Sequence, residues 1–117
     1  MKAQFDPPHQ ESLTQTSLTL LNFGAHWCGL CRMIDPLINR ISSEWSGSLE
    51  VVHINVDDEF TLAHRYQIKS LPTLVLLENG IEIQRLSHFS NREDMVFQCH
   101  QWLDPYLAVL QHLQNLT

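Results

Sequence analysis

Hydrophobic and polar positions alternate between two rhythms along the chain. Leu18-Thr19-Leu20-Leu21-Asn22-Phe23 is a short apolar run closed by Gly24, the pattern of a buried strand. From Cys28 to Trp45 the period lengthens: Met33 or Ile34, Leu37, Ile38, Ile41 and Trp45 recur at helical steps. Pro36 inside that stretch predicts a kink about one turn in, and Ser46-Gly47-Ser48 ends the helix. Leu49 to Val56 reads as a second strand, rich in β-branched residues. Asp57-Asp58-Glu59 brings negative charge to the start of a short helix over Phe60 to Tyr66, where the helix dipole favours it. Leu71 to Leu77 predicts a third strand, Asn79-Gly80 a tight hairpin, and Ile81 to Leu86 the returning strand. Asn91 is placed to cap a last helix with Glu93 and Asp94 in its first turn; Met95, Cys99, Trp102 and Leu103 share its apolar face. Pro105 interrupts, and Tyr106, Leu110 and Leu113 resume helical spacing. The first 17 residues carry little pattern, and Pro7-Pro8 block regular structure. Residues 1–17 are therefore expected to form a weakly ordered arm, and 18–117 the folded domain with an extended C-terminal helix.

A strand–helix–strand opening implies a parallel, right-handed crossover, and the hairpin adds antiparallel strands. The expected class is α/β, a three-layer sandwich with a central mixed sheet flanked by helices. At 117 residues the chain suits one domain, and 44% hydrophobic residues suffice for a core. Seven basic against thirteen acidic residues give a net charge of −6, with no basic run, which argues against nucleic acid as a partner. No apolar stretch approaches the roughly 20 residues of a membrane helix, and Met1 to Pro8 lacks a signal-peptide core. The expectation is a cytoplasmic or equally reducing compartment. Three cysteines, an odd number, argue against a disulfide framework.

The chemistry sits at the first strand–helix junction, in Trp27-Cys28-Gly29-Leu30-Cys31. A cysteine at a helix N-terminus has its thiolate stabilised by free N–H groups and the positive dipole end, which lowers its pKa below about 8.5. That thiolate attacks a disulfide, and a second cysteine one turn on resolves the mixed product. Cys28 is thus the attacking and Cys31 the resolving group. The alternative, half of a zinc or iron–sulfur site, wants further ligands. No second such pair exists, and the seven histidines show no paired spacing except His9, which lies in the loose arm, so no metal is expected.

With these residues in view, the stretch from about 18 to 104 resembles the thioredoxin family. The segment Phe23 to Met33 is similar to its active-site segment, and Asp35-Pro36-Leu37 carries the proline of the following helix. Leu71-Pro72-Thr73 resembles its cis-proline loop, and Glu78-Asn79-Gly80 its last hairpin. The resemblance implies a thioredoxin fold and cofactor-free dithiol–disulfide exchange. It implies disulfide-containing protein substrates, a thioredoxin-reductase-type electron donor, and a monomer. It also implies that Pro72 shields the thiols from metal and lets the neighbouring backbone pair with substrate. Trp27 becomes a lid and docking surface. An ordinary trans loop proline is the alternative for Pro72.

Three departures suggest an atypical member, similar to the divergent thioredoxins of cyanobacteria. Leu30 stands where the family usually has proline; its N–H is expected near the Cys28 sulfur, making the pair more oxidising. Asn22 stands where the family has a buried aspartate, and His53 where it tends to have lysine. A neutral hydrogen-bonded pair is expected there, with slow resolution by Cys31; two plain core polar residues are the alternative. Ser87-His88 replaces an apolar residue followed by glycine, and His88 is expected to narrow the partner range or bring pH dependence, unless it simply faces solvent. His26 is expected to be exposed and Cys99 to be a buried structural cysteine. A second reading of the whole chain is a thioredoxin-like binding module with little general reductase activity.

Overall fold

The computed structural model describes residues 17–103 and Pro105; the expected arm up to residue 16, His9, His112 and the helix beyond Pro105 lie outside them. Within the described residues, β1 (Leu18–Gly24), α1 (Gly29–Glu44), β2 (Leu49–Asn55), α2 (Phe60–Arg65), β3 (Thr73–Glu78), β4 (Ile81–Leu86) and α3 (Arg92–Gln98) follow in order, and a π-helical turn (Cys99–Leu103) extends α3. The four strands form one sheet in the order β2-β1-β3-β4. β1 and β2 are parallel; the other pairs are antiparallel. This is the expected mixed α/β sandwich.

The two central strands are apolar on both faces, as strands covered on both sides must be. Leu18 and Leu20 of β1 and Leu74 and Leu76 of β3 meet Ile34, Ile38 and Ile41 of α1 and Met95 of α3. Leu21, Phe23, Val75 and Leu77 point the other way, onto Ala63 and Tyr66. By the two-residue period of a strand, Asn22 and Gly24 share the α1 face with Leu20.

Local chemistry explains the element ends. Asn79 and Gly80 both have positive φ (52° and 86°), the hairpin geometry an Asn-Gly pair favours. Asn79 also fastens the chain at Ser17: its Oδ1 accepts from Ser17 N at 2.9 Å and its N–H donates to Ser17 O at 2.7 Å. Asn91 caps α3, its Oδ1 accepting from Asp94 N at 2.8 Å. Asp94 answers by accepting from Ser90 N at 2.9 Å, and that backbone bond is the first cause holding its carboxyl below the usual range.

Pro36 lies inside α1, and the buried side of that helix is carried by Ile34, with Met33 half exposed. Three expectations need correction. β3 begins at Thr73, two residues later than expected, because Pro72 has no N–H for the ladder. The alternation expected in β4 is broken by a bulge that leaves Ile83 out of register opposite Leu76 and Leu77. Trp102 is not on the buried face: it is half exposed while Leu103 is buried. The wider π turn brings Leu103 beneath Cys99 and swings Trp102 outward. Cys99 is fully buried, as a structural cysteine would be.

Candidate active site

Strand register gathers the site at one end of the sheet. Gly24 at the end of β1 lies beside Asn55 at the end of β2. Phe23 pairs with Thr73 and Leu74 with Leu86, so Pro72 and Ser87-His88 occupy the same rim. Cys28 enters α1 from that rim as its N-cap residue.

An N-cap side chain accepts from the second or third N–H of its helix. Here the Cys28 sulfur accepts from Cys31 N at 3.2 Å. The first turn of α1 contains no acidic residue, so no carboxylate competes with the sulfur for the positive end of this 16-residue helix. The Cα atoms of Cys28 and Cys31 are 5.2 Å apart, and the two residues are joined as a disulfide. Both are buried and pack with Ala25, Leu30, Val56 and Leu71. The donor to the sulfur corrects the expectation for Leu30. The geometry selects the third N–H of the helix, which Cys31 supplies, and a proline at 30 would leave that bond intact. Gly29 and Leu30 are the first two residues of the helix, where Gly29 is exposed and Leu30 half buried. Gly24 is more than a strand end: a Cβ built on it would stand 3.2 Å from the Cys31 sulfur.

The cysteines face two different hollows. Cys28 lines a groove of about 480 Å³ with Trp27, Phe60, Lys69 and Leu71 among its walls. Trp27 is 68% exposed, a poor lid in the literal sense, and is held by its Nε1 donating to Asp57 Oδ2 at 3.0 Å. The Leu71–Pro72 peptide bond is cis, as the resemblance implied, and Pro72 is buried. Cys31 lines a second hollow, of about 390 Å³, shared with Asn22, Gly24, His53, Arg32 and Asp35.

Asn22 and His53 are brought together by the β1–β2 register. Asn22 Nδ2 lies within hydrogen-bond distance of His53 Nδ1, at 3.1 Å. Only Asn22 is buried; His53 is exposed and is not a core residue. The Oδ1 atom of Asn22 is buried with no partner among the described residues. His26 is exposed, and its carbonyl accepts from Arg32 Nη1 at 2.7 Å. His88 is exposed with a left-handed φ of 60°, a region glycine occupies without strain. Among the described residues no group of three or more His, Cys, Asp or Glu could hold a metal ion.

Sequence reasoning missed three residues of this end. Asp57, a helix-start charge by sequence, anchors Trp27. Phe60, the first helical residue, is 72% exposed in the wall of the Cys28 groove. Lys69 lines the same groove. The one available signal was Phe60 itself, an aromatic beside three acids with only Ala63 and His64 at helical spacing.

Comparison with known proteins agrees with this geometry. The thioredoxin family model matches residues 2–100, starting inside the stretch read as an arm. A thioredoxin of Porphyra purpurea is 42% identical over 71 residues, covering 61% of this chain and 66% of that protein, just under two thirds of its length. A Staphylococcus aureus thioredoxin is 27% identical over 85 residues, covering 73% of this chain and 82% of that one. Among solved structures, a Nicotiana alata thioredoxin superposes with a TM-score of 0.61 at 28% identity, covering 72% of this chain and 71% of its own. A Fasciola hepatica thioredoxin gives 0.62 at 28% identity, covering 74% and 82%. No helix among the described residues is long and apolar enough to cross a membrane.

Proposed function

Since the chain belongs to the thioredoxin family, we propose that it is a thiol–disulfide oxidoreductase working through Cys28 and Cys31. The observation that carries this reading is the position of the Cys28 sulfur: it caps α1, accepts the Cys31 N–H at 3.2 Å and opens onto a groove. In the reduced protein a thiolate at Cys28 attacks one sulfur of a target disulfide, and the other target sulfur leaves as a thiolate. Cys31, one turn on, then attacks the Cys28 sulfur and releases the second target thiol. The target gains two electrons, the protein is left as its disulfide, and a reductase-type donor returns the two electrons. Trp27 and the backbone at Leu71, beside Pro72, hold the target segment. His88 limits the approach of bulky targets. Asn22 and His53 tune Cys31, and without a carboxylate at position 22 resolution is slow. The protein acts as a monomer in a reducing compartment such as the cytoplasm.

The test is trapping. A Cys31→Ser variant is expected to accumulate mixed disulfides at Cys28, while Cys28→Ser forms none. Reduced Cys28 should also be alkylated at neutral pH faster than free cysteine. No trapped adduct and ordinary alkylation together would overturn the reading. Insulin reduction driven by dithiothreitol separates a general reductase, with rapid turnover, from a binding module, with none.

A further inference from the structure

Exposed aromatics are costly unless something covers them, and the two most exposed large apolar side chains among the described residues flank one groove. Phe60 is 72% exposed and Trp27 is 68% exposed, and both line the cleft that Cys28 opens onto. Each ring has a polar neighbour that also lines the groove. Trp27 is fixed by Asp57 at 3.0 Å, and Phe60 leans on His64 one turn along α2, ring centroids 6.5 Å apart. The floor between them is apolar, formed by Val56, Ala63, Ile68 and Leu71. The remaining half-exposed apolar residues, such as Phe97, Trp102 and Ile81, lie outside this groove.

We propose that Trp27 and Phe60 form an aromatic clamp that selects disulfide substrates carrying a large apolar side chain next to the cysteine that Cys28 attacks. This rests on the exchange role proposed for Cys28 and is continuous with it. A target sulfur bonded to Cys28 ties the target backbone to the groove's edge. The neighbouring residue's Cα is then only about 3.8 Å further along, so its side chain must enter the cleft or turn to solvent. An aromatic or branched aliphatic side chain entering there covers both rings and the apolar floor; a glycine covers neither. Phe60 is a specificity residue in this scheme: it touches the substrate's flanking side chain and takes no part in the bond exchange.

The experiment uses the full chain, pre-reduced, in single turnover. The probes are two pairs of short cysteine peptides, each joined to thionitrobenzoate through a disulfide. One pair has phenylalanine or glycine before the cysteine, the other has phenylalanine or glycine after it. Attack at the peptide sulfur releases the coloured thionitrobenzoate thiolate, and Cys31 then releases the peptide thiol, so the release rate reads the attack step. In at least one pair the phenylalanine peptide is expected to react about tenfold faster than its glycine partner, the scale on which apolar pockets discriminate. Phe60→Ser should reduce that ratio to about twofold, Phe60→Leu should restore most of it, and Phe97→Ser, on α3, should leave it unchanged. Equal rates for all four peptides, or a preference that survives Phe60→Ser, overturn the clamp. If none of the four peptides releases chromophore from the unsubstituted protein, the exchange role of Cys28 fails first.

Discussion

Replacing Asn22 by aspartate changes almost no volume and adds one ionisable group where burial decides its behaviour. Asn22 is 5% exposed on the α1 face of β1, so a carboxylate there loses nearly all its hydration. Full burial raises a carboxyl by as much as about 3–5 pH units from its ordinary ~3.9. The exposed imidazole of His53, 3.1 Å away, offsets part of this, while Arg32 and Asp35 at the rim of the same hollow oppose one another. A net rise of roughly 2–3 units is the outcome, worth about 3–4 kcal/mol at ~1.36 kcal/mol per unit. The sign follows from linkage. The folded state would hold the proton more tightly than the unfolded chain, so the variant keeps its stability below about pH 4. It loses that stability as pH rises, and the loss is complete above the folded value near 6–7. With a urea slope of about 2 kcal/mol/M, its unfolding midpoint should fall between pH 4 and pH 8 by roughly 1.5–2 M more than that of the parent.

The same carboxylate would sit beside the hollow that Cys31 lines, with space for a bridging water. A base titrating near neutrality is suited to take the Cys31 proton. Release of a trapped substrate by Cys31, followed in single turnover at pH 7, should therefore accelerate by about tenfold or more. Parallel midpoint curves for variant and parent would mean that position 22 is solvated, against the burial found here. The expected midpoint shift with an unchanged release rate would mean that the hollow does not connect position 22 with Cys31, and slow resolution would lose its explanation.

Two further changes probe the rim and the last helix. His88→Gly removes a left-handed side-chain residue from the edge of the site and should stabilise by about 0.5–1 kcal/mol, the net of relieved strain and added chain entropy. Its thermal midpoint should rise by a few degrees, with faster turnover of bulky protein disulfides; a fall in midpoint refutes the strain. Asn91→Ala should cost about 1 kcal/mol in urea unfolding and Asn91→Gly only a few tenths, because glycine tolerates the cap position. Asp94 is held below the usual carboxylate range chiefly by the Ser90 N–H, so its contribution is present above about pH 4 and vanishes as pH falls through its folded value. Asp94→Asn should flatten that part of the acid limb in a stability-versus-pH series, and an unchanged limb would show the cap to be energetically silent.

What was legible in the sequence was local. Apolar period located the central strands and α1, and charge, cap and turn residues located α2, α3 and the hairpin, because a run such as Leu18 to Phe23 can bury both faces only inside a sheet, and Asn79-Gly80 favours a tight hairpin. The reactive pair was legible for the same reason: a strand end, a cysteine and a helical period state the N-cap geometry outright. What failed depended on a change of pitch or on distance along the chain. Trp102 fits the apolar stripe of a regular α-helix, and nothing in its own neighbourhood announces the π turn that moves it. Leu30 was given a bond that belongs to Cys31, because spacing alone does not choose between the second and third N–H of a helix.

The walls of the groove follow from one long-range fact, the parallel register of β1 on β2. That register sets Gly24 against Asn55, and the Val56 N–H donates to Gly24 O at 2.9 Å. The turn after β2 therefore starts beside the turn after β1, and Asp57 comes within reach of Trp27 thirty positions earlier. Three residues on, Phe60 begins α2 in the wall of the groove that Trp27 also lines. Read singly, Asp57 is a helix-start charge, Phe60 a helix-start apolar residue and Trp27 an ornament of the cysteine motif. Placed side by side by the sheet, they give the attacking sulfur a shaped neighbourhood, and a shaped neighbourhood is what lets one exchange chemistry prefer some disulfides over others.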